Sequence, residues 1–194
     1  MLNRHSAPLV WIDMEMTGLD PRTCHVLEIA TVVTDAELEV IAEGPSLIVH
    51  QPDEIMAAMG PWCTEHHASS GLTAAVKAST VSVEEAEAQT VEFLRQHTTE
   101  GVSPVCGNSV DLDRRFIQRH MPTLDAYLHW QLIDVTTIKE LAKRWYPESK
   151  APKKANTHRA LDDILESIAE LRYYRDHLFI PRIDAAPAAS TTQK

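Results

Sequence analysis

Cysteine, long apolar runs and basic charge are all scarce in this chain, and each shortage narrows what it can be. Its three cysteines, Cys24, Cys63 and Cys106, are odd in number, far apart and without C-x-x-C spacing. Neither a disulfide framework nor a zinc ribbon is therefore expected, and a reducing compartment is. No stretch approaches about 18 uninterrupted apolar residues, and residues 1–8 carry no apolar core of the signal-peptide kind. Neither membrane spanning nor secretion is expected, and a cytoplasmic location follows by default. Lys and Arg number 18 against 28 Asp and Glu, a formal charge of −10. A protein that wraps long duplex nucleic acid through its phosphates needs the opposite balance, so any nucleic-acid ligand should be short. No internal repeat at solenoid spacing is found.

What is present suits one globular domain: 194 residues, 44% of them hydrophobic, are enough for a substantial core. Residues 9–19, Leu-Val-Trp-Ile-Asp-Met-Glu-Met-Thr-Gly-Leu, read as a buried strand that acquires two acids, Asp13 and Glu15, before breaking at Gly18. Strand side chains alternate faces, so these carboxylates emerge side by side. Two adjacent anions on a buried face cost several kcal/mol unless something neutralises them. A hard divalent ion such as magnesium or manganese, which prefers oxygen ligands, would do so.

Further acids are then the question. Val26–Thr34 is a β-branched run expected to pair beside the first strand, and 38–41 and 47–50 continue an antiparallel meander. Glu28 lies within a strand, where a structural hydrogen-bonding role explains it as well as a site role, and it is not counted in the site. Pro52-Asp53 and Pro61 can each start a short helix in a segment that also holds Trp62, His66 and His67. Cys63 beside the two histidines lacks a fourth ligand for zinc. Ser82 with Glu85 forms a capping box for a helix to about His97. A short strand at 104–106 ends in Gly107-Asn108-Ser109, and a helix over 110–120 follows, stopped before Pro122. At about 100° per residue, Val110, Phe116, Ile117 and Met121 define its apolar face, with Asp113 near the centre and Asp111 opposite. Asp113 is the third candidate ligand, and Asp111 a solvated helix-start charge. After another strand at Leu132-Ile133, Thr137 with Glu140 is expected to cap a helix towards Trp145. The last helix is expected from near Thr157, with Leu161, Ile164, Leu165, Ile168 and Leu171 on its buried stripe. At its start stands His158-Arg-Ala-Leu-Asp162-Asp163, and the wheel does not choose between the two acids. Residues 181–194 are poor in large apolar groups and read as a flexible tail beyond a single domain over 1–180.

A meander followed by alternating helices and strands predicts an α/β fold, a mixed central sheet of antiparallel and parallel strands flanked by helices. Strand ends and adjoining helix starts gather ligand sites in such sheets. Asp13, Glu15, Asp113 and one of Asp162 and Asp163 can thus converge.

Three segments, Trp-Ile-Asp13-Met-Glu15-Met-Thr-Gly-Leu19, Gly-Asn-Ser-Val-Asp-Leu-Asp113-Arg-Arg-Phe and His158-Arg-Ala-Leu-Asp-Asp163, resemble the exonuclease motifs of the DEDDh superfamily and, within it, of the oligoribonuclease family. The similarity extends from about residue 8 to residue 178 and includes Trp62-Cys-Thr-Glu-His-His67 and Asp-Val-Thr136-Thr-Ile-Lys-Glu-Leu. It implies an RNase H-like fold, a homodimer, and 3′-to-5′ hydrolysis of very short RNA by two divalent ions, Mg2+ or Mn2+. It also implies clearance of linear dinucleotides such as pGpG. The family's His-x4-Asp spacing selects Asp163, and His158 becomes the general base, a task an imidazole can perform near neutral pH. Leu19 matches a wedge between two bases and Trp62 a stacking platform, while His67, Ser109 and Thr136 match positions in or near the 5′-phosphate pocket. Where relatives carry Tyr-Arg, this chain has Trp130-Gln131. Trp130 can stack on a base across the dimer, but Gln131 cannot make the charged bidentate phosphate contact of Arg.

Overall fold

The computed structural model describes residues 7–152 and 159–179. The expected tail at 181–194, the expected helix start at Thr157 and the candidate base His158 lie outside them. Among the described residues the elements run β1 (Leu9–Met16), β2 (Val26–Thr34), β3 (Val40–Ile48), α1 (Asp53–Ala57), α2 (Pro61–Ser69), α3 (Leu72–Ala78), α4 (Val83–His97), β4 (Val105–Gly107), α5 (Asp111–His120), α6 (Pro122–Tyr127), β5 (Leu132–Asp134), α7 (Val135–Trp145) and α8 (Ala160–Leu178). The strands form one sheet in the order β3-β2-β1-β4-β5, antiparallel on the β3 side and parallel on the β5 side. This is the mixed α/β, RNase H-like arrangement expected. No described helix is long and apolar enough to cross a membrane.

Alternation along β1 and β2 divides the core. Val10, Ile12, Met14, Met16, Ile29 and Val33 pack beneath α4, α5 and α6. Trp11, Ala30 and Val32 face the other way, against Val135 and Ala142 of α7 and Ile164 and Ile168 of α8. Period two then puts Asp13 and Glu15 on the same face as Trp11, and Glu28 on the face of Ala30, so three acids look towards α8.

Four local expectations are corrected. The runs 38–41 and 47–50 are not two strands: β3 is continuous and its ladder to β2 shifts between Ala30 and Val32, opposite Gly44-Pro45. Proline has no N–H for the ladder and a bulge absorbs it. Leu38 belongs to the preceding turn, with φ of 68°. The cap of α7 is Asp134, whose side chain accepts the Thr136 N–H, because the helix starts directly at the end of β5; Glu140 instead pairs with Lys143 and Arg144. Leu165 is exposed, because the sheet covers a narrower arc of α8 in which Ser167, Glu170 and Tyr174 take the inward places.

Gly44 has a steric reason to be glycine. A Cβ there would stand 2.6 Å from Phe93 and 2.8 Å from the Thr31 carbonyl oxygen, and the latter is backbone. Gly44→Ala is therefore expected to cost about 1–3 kcal/mol, read as a thermal midpoint lowered by roughly 3–10 °C.

Candidate active site

Asp13 and Glu15 stand on the last turn of pleat before β1 breaks, half-buried on the face covered by α8. The amide of Asp163 donates to the Arg159 carbonyl at 3.0 Å, so Asp163 sits in the opening turn of that helix. Oxygen atoms of Asp13, Glu15 and Asp163 all come within 4.8 Å of one another. Asp162, the acid that the helical wheel could not separate from it, is exposed.

Asp113 arrives from the opposite side of the sheet. β4 pairs with β1 at Val10 and Trp11 and ends at Gly107, so β1 runs on past its neighbour. Asp113 Oδ1 accepts the Met14 N–H at 3.0 Å, filling the gap in the ladder. It is buried and stands outside the group of three, but its charge is felt by Glu15.

The electrostatics of these acids suit the binding of a cation. Burial first, and then the neighbouring charges of Asp163, Glu28 and Asp113, push the Glu15 carboxyl from its ordinary 4.5 up to about 8. Burial likewise pushes Asp113 from 3.8 up to about 8, against the lowering effect of its backbone hydrogen bonds. Hard oxygen donors that resist ionisation until a cation arrives suit a divalent metal. A measurable consequence concerns the metal-free chain. Unfolded, it releases both protons near pH 4–5, whereas folded it holds them to about pH 8. Its stability is expected to fall as pH rises through that interval and to level off above it. Thermal melts in chelator at several pH values should show a midpoint several degrees lower at pH 8 than at pH 5. Magnesium or manganese should remove most of the difference, and a flat metal-free profile would contradict the assignment.

The other candidate residues divide into three places. A cleft of about 520 Å³ beside Glu15 is lined by Met14, Met16, Gly18, Leu19, Trp62, Cys63, His67 and Leu112. Leu19 is 75% exposed and Trp62 59%, and the Trp62 ring stacks on His66 with centroids 3.9 Å apart. His67 is buried: Nε2 lies 2.9 Å from the Met16 carbonyl oxygen and Nδ1 3.8 Å from Glu15 Oε2, so it backs the carboxylate from within the wall. Ser109 and Thr136 come together elsewhere, their hydroxyls 3.1 Å apart. Ser109 takes a left-handed φ of 53° as the chain leaves β4, and its N–H donates to Asp134 Oδ1 at 2.9 Å. Trp130 lies in a third place. With Ala7, Leu9, Val102 and Pro104 it lines a groove where β1 and β4 begin, the opposite end of the strands from the carboxylates.

One contributor is absent from the sequence expectations. Asp134 joins Ser109 to Thr136 through one carboxylate oxygen, and an acid between a strand and a helix was a visible cap signal. Glu28 takes the structural hydrogen-bonding role that the sequence allowed it, held by Ser46 and by Arg159, 131 residues away, a partner that no local pattern carries.

A family model described as Exonuclease (RNase T) matches residues 10–171. The chain is 58% identical over 173 residues to the oligoribonuclease of Pseudomonas syringae pv. syringae, covering 89% of this chain and 97% of that protein. It is 52% identical over 178 residues to the mitochondrial oligoribonuclease of Mus musculus, covering 91% and 75%. Among solved structures, the zinc-ion-bound E. coli exonuclease I–ssDNA complex superposes with a TM-score of 0.72 at 16% identity. That match covers 89% of this chain but 41% of the exonuclease I chain, so it is a likeness of fold to part of a longer protein.

Proposed function

This chain belongs to the exonuclease family and, within it, to the oligoribonucleases, and from that premise we propose that it degrades very short RNA, dinucleotides above all, to 5′-mononucleotides. Its class is that of a 3′-to-5′ exoribonuclease, a phosphodiester hydrolase. The observation that supports the finer reading is the small apolar cleft with Leu19 and Trp62 at its rim and Glu15 at its edge. Its size suits a small ligand, and the acidic chain offers little to a long polyanion.

In this reading Asp13, Glu15, Asp113 and Asp163 hold two ions, Mg2+ or Mn2+, which when bound lower the pKa of the attacking water and polarise the scissile phosphate. His158 accepts the proton of that water. Leu19 separates the two bases and Trp62 stacks on one, contacts that tolerate every base because each has a π-face. The hydroxyls of Ser109 and Thr136 take the 5′ phosphate, and His67 acts from the wall of the cleft by backing Glu15. Trp130 stacks on a base from the second chain of a homodimer, a reading supported by its place at the far end of the sheet from its own carboxylates. Linear dinucleotides such as pGpG are substrates of the right size.

Gln131 gives the phosphate end a distinct expectation. Removing the substrate's 5′ phosphate should lower kcat/KM less here than in a relative with Arg at that position, since no bidentate charged contact is lost; an equal loss in parallel assays would refute it. The length preference is tested by a time course with magnesium and 5′-phosphorylated RNAs of two, three, five and twenty nucleotides. Fastest cleavage of the dinucleotide is expected. Equal or faster attack on the twenty-mer would make the chain a general exonuclease.

A further inference from the structure

Glu28 is fully buried in β2, directly across the ladder from Glu15. A carboxylate there, on the face already occupied by Asp13, Glu15 and Asp163, would be expensive unless its charge were answered. The answer comes from α8. Arg159 Nε donates to Glu28 Oε2 at 3.0 Å and Nη2 donates to Oε1 at 3.0 Å, a two-pronged grip that only a guanidinium makes. Ser46 of β3 adds a third donor, its hydroxyl 3.0 Å from Oε1. The pair thus ties three things together: the strand beside β1, the next strand out, and the residue that opens α8.

Arg159 does two jobs with two groups. Its side chain fixes where the helix begins on the sheet, and its backbone carbonyl takes the amide of Asp163, setting the first helical turn. Asp163 is therefore one turn of helix away from an anchor in the strand that pairs with β1. The guanidinium also lies close enough to Glu15 to favour that carboxyl's charged form, whereas Glu28 disfavours it. We infer that Glu28 and Arg159 act as a positioning pair for the metal-binding carboxylates, docking the start of α8 so that Asp163 meets Asp13 and Glu15, and cancelling the charge of Glu28 beside them. This rests on the metal-dependent reading above and goes beyond it, since neither residue is placed on a metal or on substrate.

Supporting residues of this kind characteristically change metal affinity by about 10–100-fold when removed. The test is calorimetric titration of Mn2+ into the metal-free full-length chain, for the wild type, Asp163→Ala, Arg159→Gln, Arg159→Lys, Glu28→Gln, and Glu28→Gln with Arg159→Gln together. Circular dichroism and thermal melts establish which variants are folded. In folded Arg159→Gln the Mn2+ dissociation constant is expected to rise by about 10–100-fold, with kcat for a dinucleotide falling and KM nearly unchanged. The double variant should retain more affinity than the sum of the two single losses allows, because it buries no lone charge. If Arg159→Gln does not fold, Arg159→Lys decides, since it keeps the charge and loses the two-pronged grip; a several-fold weaker Mn2+ affinity is expected. An unchanged Mn2+ affinity in a folded Arg159 variant, alongside a lost affinity in Asp163→Ala, overturns the positioning role and leaves the metal site standing. Absence of Mn2+ binding by the wild type overturns both.

Discussion

Asp163→Ala is expected to lower dinucleotide turnover by on the order of 10³-fold or more while leaving the chain folded. Asp163 is one of three carboxylates within 4.8 Å, so in the proposed metal-dependent reaction its loss removes a ligand where charge must be stabilised during phosphodiester cleavage. Alanine is the best helix former, the residue is half-buried in the first turn of α8, and its charge is one of those that make Glu15 hard to ionise. The metal-free variant should therefore melt at the same temperature as the wild type or higher, an outcome opposite to that of an ordinary damaging substitution. Asp162→Ala supplies the control. That residue is exposed one position earlier, and its removal should change turnover by less than about threefold. Equal losses from the two substitutions would mean that the convergence on Asp163 does not govern the chemistry.

Trp62→Ala carries the second large effect, and it falls on binding. The ring is 59% exposed in the opening turn of α2, where it stacks on His66 and borders the cleft beside Glu15. A base stacked on an aromatic ring gains about 1–3 kcal/mol, so KM for a dinucleotide is expected to rise by roughly 10–100-fold. Turnover at saturation should change much less, because the carboxylates are untouched. Leu19→Ala should act in the same direction with a smaller effect, as it removes apolar contact alone. Steady-state kinetics on a dinucleotide separate the two parameters. A fall in kcat with KM unchanged would place Trp62 in the chemistry instead of the grip, and no change in either would remove it from the site.

The four acids differ in how readable they were. Asp13 and Glu15 could be paired from period two alone, and Asp113 from the angular position of one acid on an apolar helix face, because both arguments use geometry internal to one element. Asp163 could not be chosen over Asp162 in that way. A helical wheel gives angles about an axis, but which angle faces a distant strand depends on how that axis is docked. The docking is fixed by Arg159 on Glu28, 131 residues away. Only the resemblance to a known spacing selected Asp163, and the structure brings it to the other two. The same limit explains Leu165, apolar and correctly spaced yet exposed, and Trp130, whose distance from the carboxylates depends on the order of strands in the sheet. The cap of α7 was misplaced for a different reason. Thr137 with Glu140 imitates a capping box, but the preceding strand ends at Asp134, and the acid at that junction takes the cap.

The most direct check on the metal-binding carboxylates is a crystal of the wild type soaked in manganese and measured at an anomalous wavelength. The arrangement of Asp13, Glu15 and Asp163 predicts a peak within coordination distance of oxygen atoms from all three. Peaks confined to other surfaces, or none at saturating manganese, would contradict the account.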